Sequence, residues 1–279
     1  MERPELLRSW LFVPGDSPTK LQKATQLPAD VLVIDLEDAV LPQQKAAART
    51  LTADFLAGTG KRARSTLVRV NPVGTPHFMQ DCQAILDNPP RGILLPKCRS
   101  PEEPRRLEEI LGDRQIAVVP LIESPAGILN TYSIATCSPR VIGLAFGAED
   151  FSAEAGLVRT EEELELLYAR CVLVTACRAA GREPIDSPCL DYTDLEKVRA
   201  AARRARNLGF TGKLAIHPAQ VAVLNEVFSP TEAEIAEARR ILDAFAKSGA
   251  GALGIEGKMI DEAVLRRARR TLRLASHAE

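Results

Sequence analysis

The chain has 279 residues, with 36 lysines and arginines against 37 acids. That balance argues against a polyelectrolyte partner such as nucleic acid, the apolar runs are too short and interrupted to span a membrane, and the N-terminus lacks the apolar core of an export signal. Six cysteines without a CxxC pair (Cys82, Cys98, Cys137, Cys171, Cys177, Cys189) read as reduced cytoplasmic thiols, and three dispersed histidines (His77, His217, His277) disfavour a zinc site.

The first strand is expected at Ser9 to Val13, stopped by Pro14-Gly15-Asp16; a helix follows, with Ser17 as N-cap and Pro18 at its first position. A second buried strand, Val31 to Asp35, runs into Leu36-Glu37-Asp38, and the Ala-rich segment from Gln43 to Leu56 reads as helix. Strand three, Ser65 to Val70, ends at Asn71-Pro72. A helix around Phe78 to Leu86 leads to strand four, Gly92 to Leu95, stopped by Pro96-Lys97. Ser100-Pro101-Glu102-Glu103 opens the next helix. Strands five, Ile116 to Ile122, and six, Val141 to Phe146, each run into carboxylates, Glu123 and Glu149-Asp150. A capping box at Thr160 to Glu163 opens a long helix that closes at Gly181. Pro184 to Asp186 is a seventh strand, Thr193 to Leu208 a helix, and Lys213 to Ile216 an eighth strand that meets His217-Pro218.

Strands alternating with helices imply parallel pairing through right-handed crossovers. Eight such units at this length favour an α/β fold of the (β/α)8 TIM-barrel type over an open sheet, and the lack of a GxGxxG or Walker loop points the same way. The barrel is expected over residues 1–228. A C-terminal helix-turn-helix extension takes residues 229–279: a helix from Ser229-Pro230-Thr231-Glu232 to about Lys247, a Gly-rich turn or hairpin from Gly249 to Asp261, and a basic final helix. Too short to be a domain of its own, the extension must pack on its barrel or on a neighbouring subunit.

Chemistry in such barrels gathers at the C-terminal ends of the strands. Here those ends carry Asp35 and Glu37, Arg69, Lys97, Glu123, Glu149 and Asp150, Asp186, and His217. Glu123 and Asp150 delivered from one end would make an oxygen-rich pocket suited to a hard cation such as Mg²⁺; the competing reading is that they cap the helices that follow. On spacing alone, Lys258 and Asp261 belong to a solvated turn.

Trp10 to Asp16 (WLFVPGD), Asp35 to Val40 (DLEDAV), Val68 to Pro72 (VRVNP), Leu94 to Lys97 (LLPK), Leu121 to Ser124 (LIES), Phe146 to Asp150 (FGAED), Ala215 to Gln220 (AIHPAQ) and Gly257 to Asp261 (GKMID) stand in this order along the chain. Together they resemble the citrate lyase β-subunit family, part of the HpcH/HpaI aldolase group that also holds the malyl-CoA and citramalyl-CoA lyases. The resemblance implies a homotrimeric barrel that cleaves a 3-hydroxy acyl thioester by a Mg²⁺-dependent retro-Claisen reaction, to an acyl thioester and a 2-oxo acid. Carried over motif by motif, Glu123 and Asp150 are Mg²⁺ ligands, with Glu123 also facing substrate, and Arg69 binds substrate. Lys20, Lys23, Ile216, His217 and Pro218 fall where the family contacts the thioester carrier. Asp261 matches an acid that reaches a neighbouring subunit's site.

The chemistry suits these residue types. Mg²⁺ takes one or two protein carboxylates and leaves other positions to water and substrate. An Arg fork holds a carboxylate or stabilises an enolate oxygen, and an acid near the thioester carbon returns a proton. The base for the hydroxyl proton stays open among a water on the metal, Asp35, Glu37 and Asp38. For Arg69 the alternative is a buried ion pair with Glu37 or Asp38, acids that also suit a supporting role around the metal or Arg69; for His217 it is a core histidine at the end of strand eight. Two functions compete: a self-sufficient CoA-thioester lyase, favoured by the full C-terminal motif, and the β subunit of a multi-protein citrate lyase that needs a carrier-bound substrate and is inactive on free CoA esters. Citryl, malyl and citramalyl thioesters, and the direction of reaction, are not distinguished.

Overall fold

Short runs rich in Val, Ile and Leu form eight strands: β1 (Ser9–Pro14), β2 (Val31–Asp35), β3 (Thr66–Arg69), β4 (Gly92–Leu95), β5 (Ala117–Ile122), β6 (Gly143–Phe146), β7 (Glu183–Asp186) and β8 (Gly212–Ala215). A computed structural model describes residues 7–58, 65–248, 253–255 and 258–276. Each strand pairs in parallel with its neighbour in sequence, and β8 returns to β1 to close the barrel. The strands are joined by α1 (Pro18–Ala24), α2 (Lys45–Gly58), α3 (Pro76–Ile85), α4 (Glu102–Leu111), α5 (Pro125–Leu129), α6 (Thr131–Thr136), α7 (Ala148–Ala155), α8 (Leu167–Ala180) and α9 (Leu195–Leu208). After β8 come α10 (Ala219–Phe228), α11 (Glu232–Ser248), an antiparallel hairpin of β9 (Leu253–Ile255) and β10 (Lys258–Ile260), and α12 (Glu262–Ser276), with α11 and α12 packed together. Expected residues 249–252 and 256–257 of the Gly-rich segment lie outside the described residues.

Strand parity sorts the side chains. Trp10, Val31, Val33, Leu67, Leu94, Val119, Leu121, Ala145, Ile185 and Leu214 form one buried cluster that fills the barrel. A larger cluster, including Leu11, Leu32, Ile34, Val68, Ile93, Val118 and Leu144, lies between strands and helices. The same alternation turns Asp35 and Arg69 inward, one step beyond the apolar filling, as paired residues of β2 and β3.

Two local expectations are corrected. The capping box at Thr160 does not start a helix, because the Thr160 N–H and hydroxyl bind Glu165, at 3.1 and 2.7 Å, rather than Glu163. Arg159 and Arg170 draw the Glu163 carboxylate, at 2.7 and 2.9 Å, and Glu163 adopts a left-handed φ of 55°, so α8 begins only at Leu167 after a 3-10 turn. The connection from β5 to β6 is two short helices meeting at Asn130, where no element was expected.

Candidate active site

Arg69 is the centre of the barrel mouth. Its Nε and Nη2 donate to the two oxygens of Asp35 at 2.7 and 2.6 Å, a bidentate fork. Asp35 also accepts from the N–H groups of Glu37 (2.8 Å) and Ala39 (3.1 Å), so its carboxylate is fully committed. The free edge of the guanidinium, Nη1, lies 3.1 Å from Glu37 and 3.8 Å from Asp38, and the guanidinium sits over the Phe12 ring at 4.8 Å. Burial opposes the Arg69 charge, but the hydrogen bonds and charges of Asp35, Glu37 and Asp38 outweigh it and hold the guanidinium firmly protonated.

Lys97, two residues after the end of β4, contributes twice. Its backbone N–H donates to Glu123 Oε1 at 2.6 Å, and its Nζ lies 3.1 Å from Glu37 and 3.9 Å from Asp38. It does so from a left-handed φ of 53°, one of two non-glycine residues with positive φ among the described residues. Such strained backbone is found where the surroundings over-determine it, commonly at working sites.

Glu123 follows β5 and is buried at 4% exposure. One oxygen is held by Lys97; the other, Oε2, has no hydrogen-bond donor among the described residues and lies beside Gly147, where a Cβ would come within 2.6 Å of it. Burial, reinforced by Glu37 and Asp150 and opposed by the Lys97 N–H, pushes the Glu123 carboxyl up to about 8. Burial likewise raises Glu37 to about 7, against the pull of Arg69 and Lys97. Glu37's oxygens are buried without an aligned hydrogen bond and rest on those two ion pairs.

Asp150 is not at a strand end. It is the third residue of α7, exposed, in a first turn where the helix dipole favours an acid. Its charge is felt by both Glu123 and Lys97. Glu149 turns aside to an ion pair with Arg159.

The other expected residues divide. Lys20 and Lys23 are exposed on α1, the helix that follows β1. Ile216, His217 and Pro218 are exposed just after β8, and the His217 ring stacks on Tyr192 at 4.6 Å. His217 is therefore not a core histidine. Gln220 holds the strand end instead, its Oε1 accepting from the N–H groups of Ile216 and His217. Asp186 points outward, fully buried between the barrel and α8, in ion pairs with Lys213 and Arg170, and is not part of the mouth. Asp261 accepts from the N–H groups of Ala263 and Val264, both at 3.0 Å, as the N-cap of α12; no hydrogen bond or ion pair joins it to the mouth of its own chain among the described residues.

A model of the HpcH/HpaI aldolase/citrate lyase family matches residues 8–218. The chain belongs to that family. A citrate lyase subunit beta-like protein of Deinococcus radiodurans is 40% identical over 280 residues, covering 96% of this chain and 97% of that one. An L-malyl-CoA/beta-methylmalyl-CoA lyase of Rhodobacter capsulatus is 35% identical over 307 residues, covering 98% and 96%. The crystal structure of the protein CitE from Mycobacterium tuberculosis, in complex with magnesium, acetoacetate and coenzyme A, superposes with a TM-score of 0.84 at 34% identity, covering 96% and 97%.

The mouth of this family member fits a hard divalent cation. Glu123 offers an oxygen without a protein donor, Gly147 leaves the space beside it, and Asp150 adds a second carboxylate close enough to perturb the first. No group of three or more His, Cys, Asp or Glu side chains converges among the described residues, and Mg²⁺ needs none, since one or two carboxylates commonly suffice. Sequence reasoning did not single out Phe12, Gly147 or the backbone of Lys97. Strand parity marks Phe12, and a glycine directly after a strand marks a close approach.

Proposed function

We propose that this chain is a Mg²⁺-dependent carbon–carbon lyase that cleaves a 3-hydroxy acyl thioester of CoA to an acyl-CoA and a 2-oxo acid. The observation that carries this reading is the Glu123 oxygen without a protein donor, set beside the Arg69–Glu37–Lys97 cluster at the barrel mouth. Glu123 and Asp150 would hold the metal, which supplies Lewis-acid polarisation and a template for the hydroxy-acid end of the substrate.

The chain's own residues divide the remaining work. Asp35 locks the guanidinium of Arg69, which then presents a fixed positive charge where negative charge develops. Glu37, raised to about 7 by burial, takes the proton of the 3-hydroxyl. As that oxygen becomes a carbonyl, the C2–C3 bond breaks and its electron pair moves onto the thioester as an enolate. Asp261 of a neighbouring copy returns a proton to C2, completing the acyl thioester. Asp38 and Lys97 tune the charge of Glu37. Lys20, Lys23, Ile216, His217 and Pro218 hold the CoA portion at the rim. In this reading residues 1–228 are the catalytic barrel, residues 229–279 are the extension that carries Asp261 across, and three copies assemble. The protein works in the cytoplasm, in keeping with six free cysteines and with no helix among the described residues long and apolar enough to cross a membrane.

The test is a cleavage assay on citramalyl-CoA, malyl-CoA and citryl-CoA, with Mg²⁺ or with chelator, following the 2-oxo acid. Metal-dependent turnover of one thioester is expected. Silence on all three from folded protein refutes stand-alone activity and favours a subunit that needs its substrate on a carrier protein.

A further inference from the structure

Lys45 carries a charge that its position disfavours twice over. It opens α2 directly after a 3-10 turn, Pro42–Gln44, near the end of a helical run where partial positive charge accumulates, and it is buried, with 8% of its surface exposed. No carboxylate pairs with it among the described residues. Instead its Nζ donates to two backbone carbonyls, those of Leu36 at 2.8 Å and Glu37 at 2.9 Å. A residue kept against both helix electrostatics and desolvation points to a demand outside stability.

That demand is visible in the loop after β2. Asn71 Nδ2 donates to the same Leu36 carbonyl at 2.9 Å, and Asn71 is held from behind by Asp81, whose Oδ2 accepts from its N–H and from Nδ2 at 2.8 and 2.5 Å. Asp35 accepts from the N–H of Glu37. The peptide groups on both sides of the Glu37 α-carbon are thus pinned, whereas its carboxylate has charge contacts and no aligned hydrogen bond. The point from which that carboxylate reaches its two cations is set by its backbone, where the Val40 N–H also donates to the Glu37 carbonyl at 3.1 Å. We propose that Lys45 is a positioning residue, whose buried ammonium, acting through the carbonyls of Leu36 and Glu37, holds the Glu37 carboxylate against Arg69 and Lys97.

The inference rests on the lyase reading in one respect, that Glu37 works in the reaction. Lys45→Met keeps the length of the side chain and removes its donors; Lys45→Gln, which keeps a donor, serves should the first variant not fold. Two measurements are made on each: hydrogen exchange of the peptide spanning residues 35–40, and kcat and KM alone and combined with Glu37→Gln, below the melting temperature of every variant. Exchange of the segment should speed up. The kcat should fall by about 10- to 100-fold, as for other residues that orient a working group, with KM little changed and the double variant no slower than Glu37→Gln. A lower melting temperature with unchanged kcat overturns the proposal, as do losses that multiply in the double variant. Silence of the wild type on every thioester removes the lyase reading and the catalytic half of the proposal; unchanged exchange then overturns the positioning half as well.

Discussion

Gly147→Ala adds one methyl group at the point where the site has no room for it. A Cβ there would lie 2.6 Å from both Cβ and Oε2 of Glu123. The φ of Gly147 is −107°, so alanine brings no backbone strain and the effect is steric alone. Oε2 can swing aside, but the Glu123 Cβ is fixed where β5 ends. Overpacking of this kind costs about 1–3 kcal/mol. If that cost falls on the carboxylate orientation that holds Mg²⁺, the affinity drops by roughly 5- to 150-fold, at about 1.4 kcal/mol per decade. Isothermal titration of the apo protein with Mg²⁺ reads this directly, and excess Mg²⁺ should restore part of the lost turnover. Gly58→Ala, at the end of α2 with nothing within 4 Å of the added Cβ, is the control and should bind Mg²⁺ as the wild type does. Equal affinity in Gly147→Ala and wild type would refute the reasoning, since Glu123 would then not hold the ion from this cradle.

Arg69→Lys should lower kcat by about 10²- to 10³-fold, because an ammonium cannot keep the two bonds to Asp35 and still present an edge to the substrate; unchanged steady-state kinetics would take Arg69 out of the site. Glu123→Ala and Asp150→Ala should each abolish Mg²⁺-dependent turnover while circular dichroism reports a folded barrel, and full activity in both would end the metal assignment. Asp261→Asn and Arg69→Lys, each strongly impaired alone, should recover activity when unfolded and refolded together, because mixed assemblies rebuild one intact site; no recovery, or a monomer by light scattering, counts against Asp261 acting across subunits. Burial would raise the Asp186 carboxyl, but Lys213 and Arg170 outweigh it and hold it below the ordinary range. Folding therefore favours the ionised form, and the stability this contributes is present above the unfolded carboxylate pKa of about 4 and lost as pH falls through the lower folded value. Urea titrations should show wild-type stability declining below that pH. Lys213→Met should lose about 3–5 kcal/mol at pH 7 and show a shallower acid decline; an equally steep decline in the variant would contradict this.

Much of this was legible in the sequence because barrel strands are short, apolar and sharply stopped. Val31 to Asp35 and Gly92 to Leu95 coincide with β2 and β4. The cluster of Asp35, Glu37, Arg69 and Glu123 follows once strand ends are known to share a face. What escaped depended on tertiary contacts. Thr160 to Glu163 has the composition of a helix start, but in the folded chain Arg159, Arg170 and Arg204 claim Glu163. Asp186 and Arg69 are both charged residues closing a strand; parity in the closed barrel sends one outward to α8 and the other into the mouth. For His217 the family resemblance implied a substrate contact and its place at a strand end a core role, and only the position of Gln220 beneath the strand end shows which residue holds it.

The outward pair on the last two strands has a further consequence. β7 and β8 pair through only two residue pairs, Ile185 with Gly212 and Asp186 with Lys213. So short a ladder would specify alignment weakly by hydrogen bonding alone. A slip of one residue would rotate Lys213 into the apolar lumen and carry Leu214 out of it, stranding Asp186 beside Arg170 without its second cation. Misaligned closure therefore buries a naked ammonium, and charge does for this seam what a longer strand would otherwise do: it allows the barrel a single way to shut.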